Sequence, residues 1–326
     1  MRISRLGVFV LIAITVFFAT SCGYYNQIIA RKNLVDGSNA YKGRKFPEAQ
    51  QLFRDAVALD PEGKTLEGKT AQLFLARTIH SEYIGDRKNN EKAELAITEY
   101  QKALSFNPND QSSYKAIASL YENLQENDKW LAWVTARANN KNIPPEQQAE
   151  ALTSLAARKN SCANDITDTE ATKKTVQKDG KPSFQFVKPA SPEDFASLGT
   201  CIQEGTTLID QALALEVPTV KNAASLDIKG MSDADLVKNL DLLKVFESAR
   251  SYKASLLIQG MRLAEMDNRV PDRDRLKGEA DAARKSFLDL SDVVKKIQTE
   301  IDDRKAAIAA AAPGGSGSKN ANANAK

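Results

Sequence analysis

The chain has 326 residues, 42% of them apolar and 27% charged, with 45 basic against 42 acidic side chains and a formal net charge of +3. That balance describes a folded, soluble body and excludes both a disordered chain and a strongly basic nucleic-acid binder. One histidine, His80, excludes a histidine-rich metal site and an H-E-x-x-H protease helix, and neither a G-x-S-x-G elbow nor a phosphate-binding loop occurs; no catalytic residue, metal or cofactor is expected.

The N-terminus opens with a basic start, Met1-Arg-Ile-Ser-Arg5, and an apolar run from Leu6 to Phe18. About a dozen apolar residues suit a secretory leader, whereas a bilayer span takes about 20. Ala19-Thr20-Ser21-Cys22 follows, and it resembles the lipobox of bacterial lipoproteins, with Ala19 where leucine is usual. The resemblance implies that residues 1–21 are removed and that Cys22 is lipid-modified, so that the mature chain is tethered to a membrane without spanning it. Gly23, where an aspartate would retain the protein at the inner membrane, resembles the signal for transfer to the outer membrane, facing the periplasm. An ordinary signal peptide with an incidental cysteine, or an uncleaved anchor, fits the same residues.

Residues 22–143 contain a repeat. Ala49, Phe53, Ala56 and Pro61 recur at the same offsets as Ala96, Tyr100, Ala103 and Pro108. Small residues let paired helices approach, the aromatic fills the gap to the next pair, and proline ends the helix. This resembles the second helix of the tetratricopeptide repeat (TPR), and about three TPR-like repeats are counted, starting near Ala30, between Lys69 and Arg77, and at Gln111. Their first helices carry Gly37 and Tyr41, Leu75-Ala76 and Ile79, then Tyr114, Ile117-Ala118 and Tyr121. Polar, glycine-containing stretches at Gly63–Glu67 and Gly85–Asn90 are expected as loops. Repeat three departs from the pattern, with Trp130 at the small position and Arg137 at the later alanine; Trp130 and Trp133 are expected to pack, or one of them to anchor a partner.

Residues 144–220 are expected to form a degenerate fourth repeat. Its first helix opens at Pro144-Pro145-Glu146, and its second at Ser191-Pro192-Glu193-Asp194, where a serine cap, a first-turn proline and acidic residues mark a helix start. A polar insertion, 160–190, separates them. With Cys22 assigned to the lipid, Cys162 and Cys201 remain as a pair, and a disulfide between them is the economical expectation in an oxidising compartment. Two free thiols would also fit the count, although a C-x-x-C redox spacing is absent. Residues 221–308 carry two heptad-like series, Leu242, Val245, Ala249, Tyr252, Leu256, Gln259, Leu263, Met266 and Leu276, Ala280, Ala283, Phe287, Leu290, Val294, Ile297, Ile301, with a turn at Asp267–Asp272 between them. They are expected to pair as a long antiparallel hairpin, or to dimerise as a coiled coil. The glycine-, serine- and asparagine-rich tail, 309–326, is expected to be disordered.

The expected fold is therefore all-α: a TPR-like helical solenoid followed by a long antiparallel helical hairpin. The TPR resemblance implies a concave groove lined by first helices, here Leu34, Ser38, Tyr41 and Lys42; Leu73, Arg77, His80 and Ser81; and Lys115, Ser119, Glu122 and Asn123. His80 is expected on this surface, facing a ligand peptide or water. Basic, hydroxyl and amide groups beside a few apolar ones suit an extended peptide or a partner helix. The plan resembles the TPR lipoproteins of bacterial envelopes, among them those of outer-membrane β-barrel assembly and of type IV pili, and implies a lipid-anchored, non-catalytic adaptor that binds a protein partner but no nucleic acid or metal. Two other classes fit the sequence: a self-associating structural protein that dimerises through the C-terminal hairpin, and a ligand-binding protein or enzyme with a pocket near Cys162 and Cys201.

Overall fold

A computed structural model describes the backbone of residues 5–178 and 180–311, and side chains from residue 23 onward except at 178 and 179. The described residues form an all-α, repeat-like solenoid of helix pairs with one small β-hairpin. They divide into two units, with the border between Trp133 and Val134.

In the first unit, α1 (Arg5–Lys42) pairs with α2 (Phe46–Leu59), α3 (Leu66–Gly85) with α4 (Asn90–Phe106), and α5 (Gln111–Asn123) leads into α6 (Asn127–Ala138). The repeated positions explain the pairing. Ala49, Phe53 and Ala56 have at most 0% exposure, and Ala96, Tyr100 and Ala103 at most 5%, so both alanine–aromatic–alanine sets are core. Gly37 sits against the Phe53 ring so closely that a Cβ there would lie 2.8 Å from Cε1. Only a residue without a side chain lets α1 and α2 approach this far. Phe53 in turn packs on Phe74 of α3, with centroids 5.5 Å apart, so one ring joins the first pair to the second.

Helix ends are held by side chains. Thr65 caps α3 by accepting from the Gly68 N–H at 3.0 Å, and the Asp60 carboxylate accepts from the backbone and hydroxyl of Thr65, both at 2.7 Å. This cap starts α3 at Leu66, so the end of the stretch expected as a loop, Leu66 and Glu67, is helical. Asn89 caps α4 and Asp110 caps α5 in the same way. In the third pair Trp130 is buried, 3% exposed, at the small position. Trp133 stacks on Tyr114 with centroids 5.6 Å apart, and its indole N–H donates to the Tyr114 carbonyl.

The second unit begins ten residues before the repeat border expected at 143/144. The reason is local: Gln148 Nε2 donates to the Ala138 carbonyl at 2.6 Å and Arg137 donates to Gln147, tying the end of α6 to the start of α7 (Pro145–Thr167). α7 pairs with α8 (Pro192–Ala214), which Ser191 caps by accepting from the Asp194 N–H. The insertion expected at 160–190 is shorter and more ordered than that, because α7 continues to Thr167. A β-hairpin follows, β1 (Lys173–Lys178) and β2 (Lys181–Phe186), antiparallel with Lys173 opposite Phe186 and a positive-φ Gly180 in its turn. Phe186 anchors the hairpin in a core formed with Ala163, Leu198, Cys201, Ile202 and Met266. Cys162 and Cys201 are disulfide-linked, Cα atoms 6.2 Å apart, so the crosslink joins α7 to α8 directly and does not merely close the ends of a loop.

A short helix α9 (Pro218–Lys221) leads to α10 (Asp233–Met266), capped by Ser232, and α11 (Val270–Ala311) folds back along it. The α11 stripe is buried largely as its spacing implies: Ala280, Leu290, Val294, Ile297 and Ile301 are core. The α10 stripe needs correction. Leu242, Val245, Tyr252 and Leu263 are only half-buried, whereas Leu236, Leu240, Leu243, Phe246 and Leu257 are core, because α10 packs on α7 and α8 as well as on α11. A helix buried on two sides loses the single-stripe pattern that a two-helix seam would show. At Gly205 of α8 a Cβ would lie 2.7 Å from a Leu256 methyl of α10, so glycine lets these two helices close. Gln259, 3% exposed, fits a core position because the Thr167 hydroxyl donates to its Oε1 at 3.0 Å and its amide donates to Asn164. Arg250 binds Glu216 with two hydrogen bonds, 2.8 and 3.1 Å, and donates to the Ser286 carbonyl of α11, joining three segments. The helix includes residues 309–311, expected in the tail; the remainder of the tail lies outside the described residues.

Two stability outcomes follow. Phe53→Ala is expected to lower the unfolding free energy by about 3–5 kcal/mol, read from denaturant melts. Reducing the disulfide, whose loop spans 39 positions, is expected to cost up to about 4 kcal/mol on the chain-entropy model. An unchanged melt after confirmed reduction would refute that contribution.

Candidate functional site

The residues assigned to the groove lie on α1, α3 and α5, the first helices of their pairs, and each retains solvent exposure. Three of them, Tyr41, Arg77 and Ser81, are drawn together. Ser81 Oγ donates to the Arg77 carbonyl at 2.9 Å, so its lone pair is free to accept from the Tyr41 phenol, 3.0 Å away, linking α1 to α3. Ser38 Oγ likewise donates to the Leu34 carbonyl at 2.7 Å. Both hydroxyls are thus occupied as donors within their own helices, and what they present outward is an acceptor. Arg77 donates through Nη2 to Ser112 Oγ at 3.0 Å, reaching from α3 to the start of α5.

Phe74 organises this surface, although its helical position was not among those assigned to the groove. Tyr41 meets it edge-on at 6.1 Å, Phe53 packs on it, and the Arg77 guanidinium lies 5.4 Å from its centroid. An aromatic beneath a cation contributes to attraction and to positioning. Burial pushes the Asp110 carboxyl up, but hydrogen bonds from the Ser113 side chain and backbone and from Ser112, with the Arg77 charge, outweigh it and hold the group below its ordinary value. Asp110 therefore stays ionised at the helix start that Arg77 reaches, where negative charge is favoured by the helix dipole. Asn123 donates weakly to Ser119 at 3.5 Å on the exposed side of α5, where Lys115 and Glu122 are also exposed. Lys42 is exposed at the end of α1.

His80 makes an inward contact as well. It is half-buried, with its ring edge-on to Tyr100 at 5.8 Å and Nδ1 3.3 Å from the phenol oxygen. Tyr100 is the repeat aromatic of α4, so His80 packs against the second pair while keeping part of its surface exposed. Burial, with the Arg87 charge, pushes the imidazole below its usual value, and burial pushes the Tyr100 phenol well above its own. Both shifts favour the neutral forms of the two side chains.

Around the disulfide, Cys162, Ile166, Phe195 and Leu263 pack on the core cluster, so that neighbourhood is filled by side chains. Arg262 lies 4.5 Å from the Phe186 centroid and donates to Thr167 Oγ1 at 3.2 Å, binding the hairpin to α7 and α10. Cys22 falls outside the described side chains. Among the described residues no group of three or more His, Cys, Asp or Glu is placed to hold a metal ion, and no helix is long and apolar enough to cross a membrane.

No protein-family model matches the chain, and no curated protein sequence does. Among solved structures, the chain is similar to one described as a functional characterization of Pseudomonas aeruginosa PilF, with 12% identity over 83% of this chain and 99% of that one, at a TM-score of 0.31. A superposition that loose carries nothing further, and the functional reading rests on the chain's own residues.

His80 gives a pH prediction with a definite sign. Its folded pKa is lowered, so the unfolded chain takes up the proton first. Its contribution to stability is complete above the unfolded value of about 6.5 and declines as the pH falls through it. Denaturation midpoints are expected to fall between pH 7.5 and pH 5.5, and His80→Gln is expected to flatten that interval while lowering stability throughout.

Proposed function

We propose that the chain is a lipid-anchored, non-catalytic adaptor of the bacterial envelope, TPR-like in its first unit, which holds an extended peptide or a partner helix on the face formed by α1, α3 and α5. The observation that carries this is the line of side chains from Tyr41 through Ser81, Arg77 and Ser112 to Asp110, which crosses three successive first helices on partly exposed positions. A stack of pairs buries each helix only against its neighbours, so the first helices leave a continuous ladder along which a linear partner can be read. The chemistry suits a mixed polar partner: the Arg77 and Lys115 charges for carboxylates, Tyr41 and Phe74 for apolar side chains, and serine oxygens for backbone N–H groups.

The lipobox-like Ala19–Cys22 and the glycine after it support anchoring at the outer membrane with the folded part in the periplasm, and the Cys162–Cys201 disulfide is consistent with an oxidising compartment. Self-association through an opened hairpin has less support, because both buried sides of α10 are occupied by α7, α8 and α11.

The test is crosslinking from native membranes, comparing the wild-type protein with a Tyr41→Ala, Arg77→Ala, Lys115→Ala variant. The variant is expected to stay folded and to lose one discrete protein partner. Retention of every partner would move the binding surface off the first helices.

A further inference from the structure

The side of α1 that faces away from its partners carries a second surface, one that the groove does not use. Tyr24 is 71% exposed, Tyr25 64%, Ile28 49% and Val35 53%, while Ala30, Gly37 and Ala40 of the same helix are buried. Tyr24, Ile28 and Val35 follow one another at steps of four and seven, close to whole helical turns, so they share one face. Gln27 reaches across to the start of α3 and donates to Glu67 at 3.1 Å. That contact brings the neighbouring Leu66, 77% exposed and the barest large apolar side chain on the chain's described surface, to the same end of the unit. Arg31 and Lys32 are exposed one turn further along. Single exposed apolar residues are ordinary. Lys32 pairs with Asp36 one turn on, at 3.1 Å, but two tyrosines, an isoleucine and a leucine gathered at one end of a unit are not explained by packing among the described residues.

We propose that this end of the first unit lies on the lipid surface, with Tyr24, Tyr25, Ile28 and Leu66 in the boundary between headgroups and acyl chains and with Arg31 and Lys32 against headgroup phosphates. The inference rests on the lipid anchor at Cys22. A helix rises about 1.5 Å per residue, so acyl chains on Cys22 hold Tyr24 and Tyr25 within a few ångströms of the membrane whatever the protein's tilt. Tyrosine suits that depth, its ring apolar and its hydroxyl wet. The cations complement anionic headgroups. The anchor and the patch act together, since one fixes the protein to the bilayer and the other limits how it can rotate about the tether, which would set the direction in which the first-helix face is presented.

The experiment uses the processed, lipidated protein reconstituted in phosphatidylcholine–phosphatidylglycerol vesicles. Fluorescence of Ile28→Trp is compared with that of Leu95→Trp, an exposed control on α4, and with the parent carrying Trp130 and Trp133, using lipids brominated at defined acyl positions. The expected result is flotation with the vesicles and quenching of Ile28→Trp above parent, strongest for bromines within about 5–10 Å of the headgroup boundary, with Leu95→Trp at parent level. Flotation with Ile28→Trp quenched no more than Leu95→Trp would leave the anchor standing and overturn the docked face. Failure to float would overturn both. A detergent-solubilised dimer that Ile28→Glu returns to monomer would assign the patch to a second copy, and so would overturn the lipid assignment.

Discussion

Everything in the first unit depends on how closely two helices can approach. Neither α1 nor α2 has a stripe it can bury alone, and their contact is set by Gly37 meeting the Phe53 ring, with Ala49 and Ala56 on either side. Because the aromatic is larger than the space between two helices, it projects onward and meets Phe74 of the next pair. Small residues thus fix the distance within a pair, and the aromatic sets the stacking of the next. Where the small residue is replaced by Trp130, the third pair departs from this geometry: Trp133 stacks on Tyr114 and the end of α6 is drawn into the second unit.

The second unit applies the same rule with different means. Gly205 lets α8 close on α10, the disulfide ties α8 to α7, and α10 occupies the position a first helix takes, packed on both members of the preceding pair. The long C-terminal hairpin is therefore the next pair of the stack within this unit. Two of its inward polar residues are held on several sides: Gln259 by Thr167 and Asn164, Arg250 by Glu216 and Ser286. Removing one partner from such a buried pair would leave the other unsatisfied, which costs more than the pair itself contributes.

A consequence for function is that the first helices carry two kinds of surface. Their inner positions are spent on packing, as His80 shows by turning onto Tyr100, while Tyr41, Arg77 and their neighbours are held in place by hydrogen bonds to the adjacent helix. If the proposed partner binds there, side chains positioned this way would lose less freedom, and more of the interaction energy would be kept as affinity. The outward side of α1, by contrast, keeps Tyr24, Tyr25, Ile28 and Val35 exposed among the described residues.

The sequence by itself determined the helix pairs, because alanine–aromatic–alanine–proline spacing is a local pattern, as are the caps at Ser191 and Ser232 and the α11 stripe. It also pointed to the first helices as the surface with polar groups to spare. The β-hairpin escaped because, among the described side chains of its strands, only Phe186 is buried, leaving almost no alternation to read; the Asp179-Gly180 dipeptide was the signal available. Which side of α10 is core, where α7 ends, and that His80 packs on Tyr100 while Phe74 joins Tyr41, Phe53 and Arg77 were decided only by tertiary structure. Each depends on a neighbour distant in the chain, and burial on two faces erases the periodicity by which a single face is recognised.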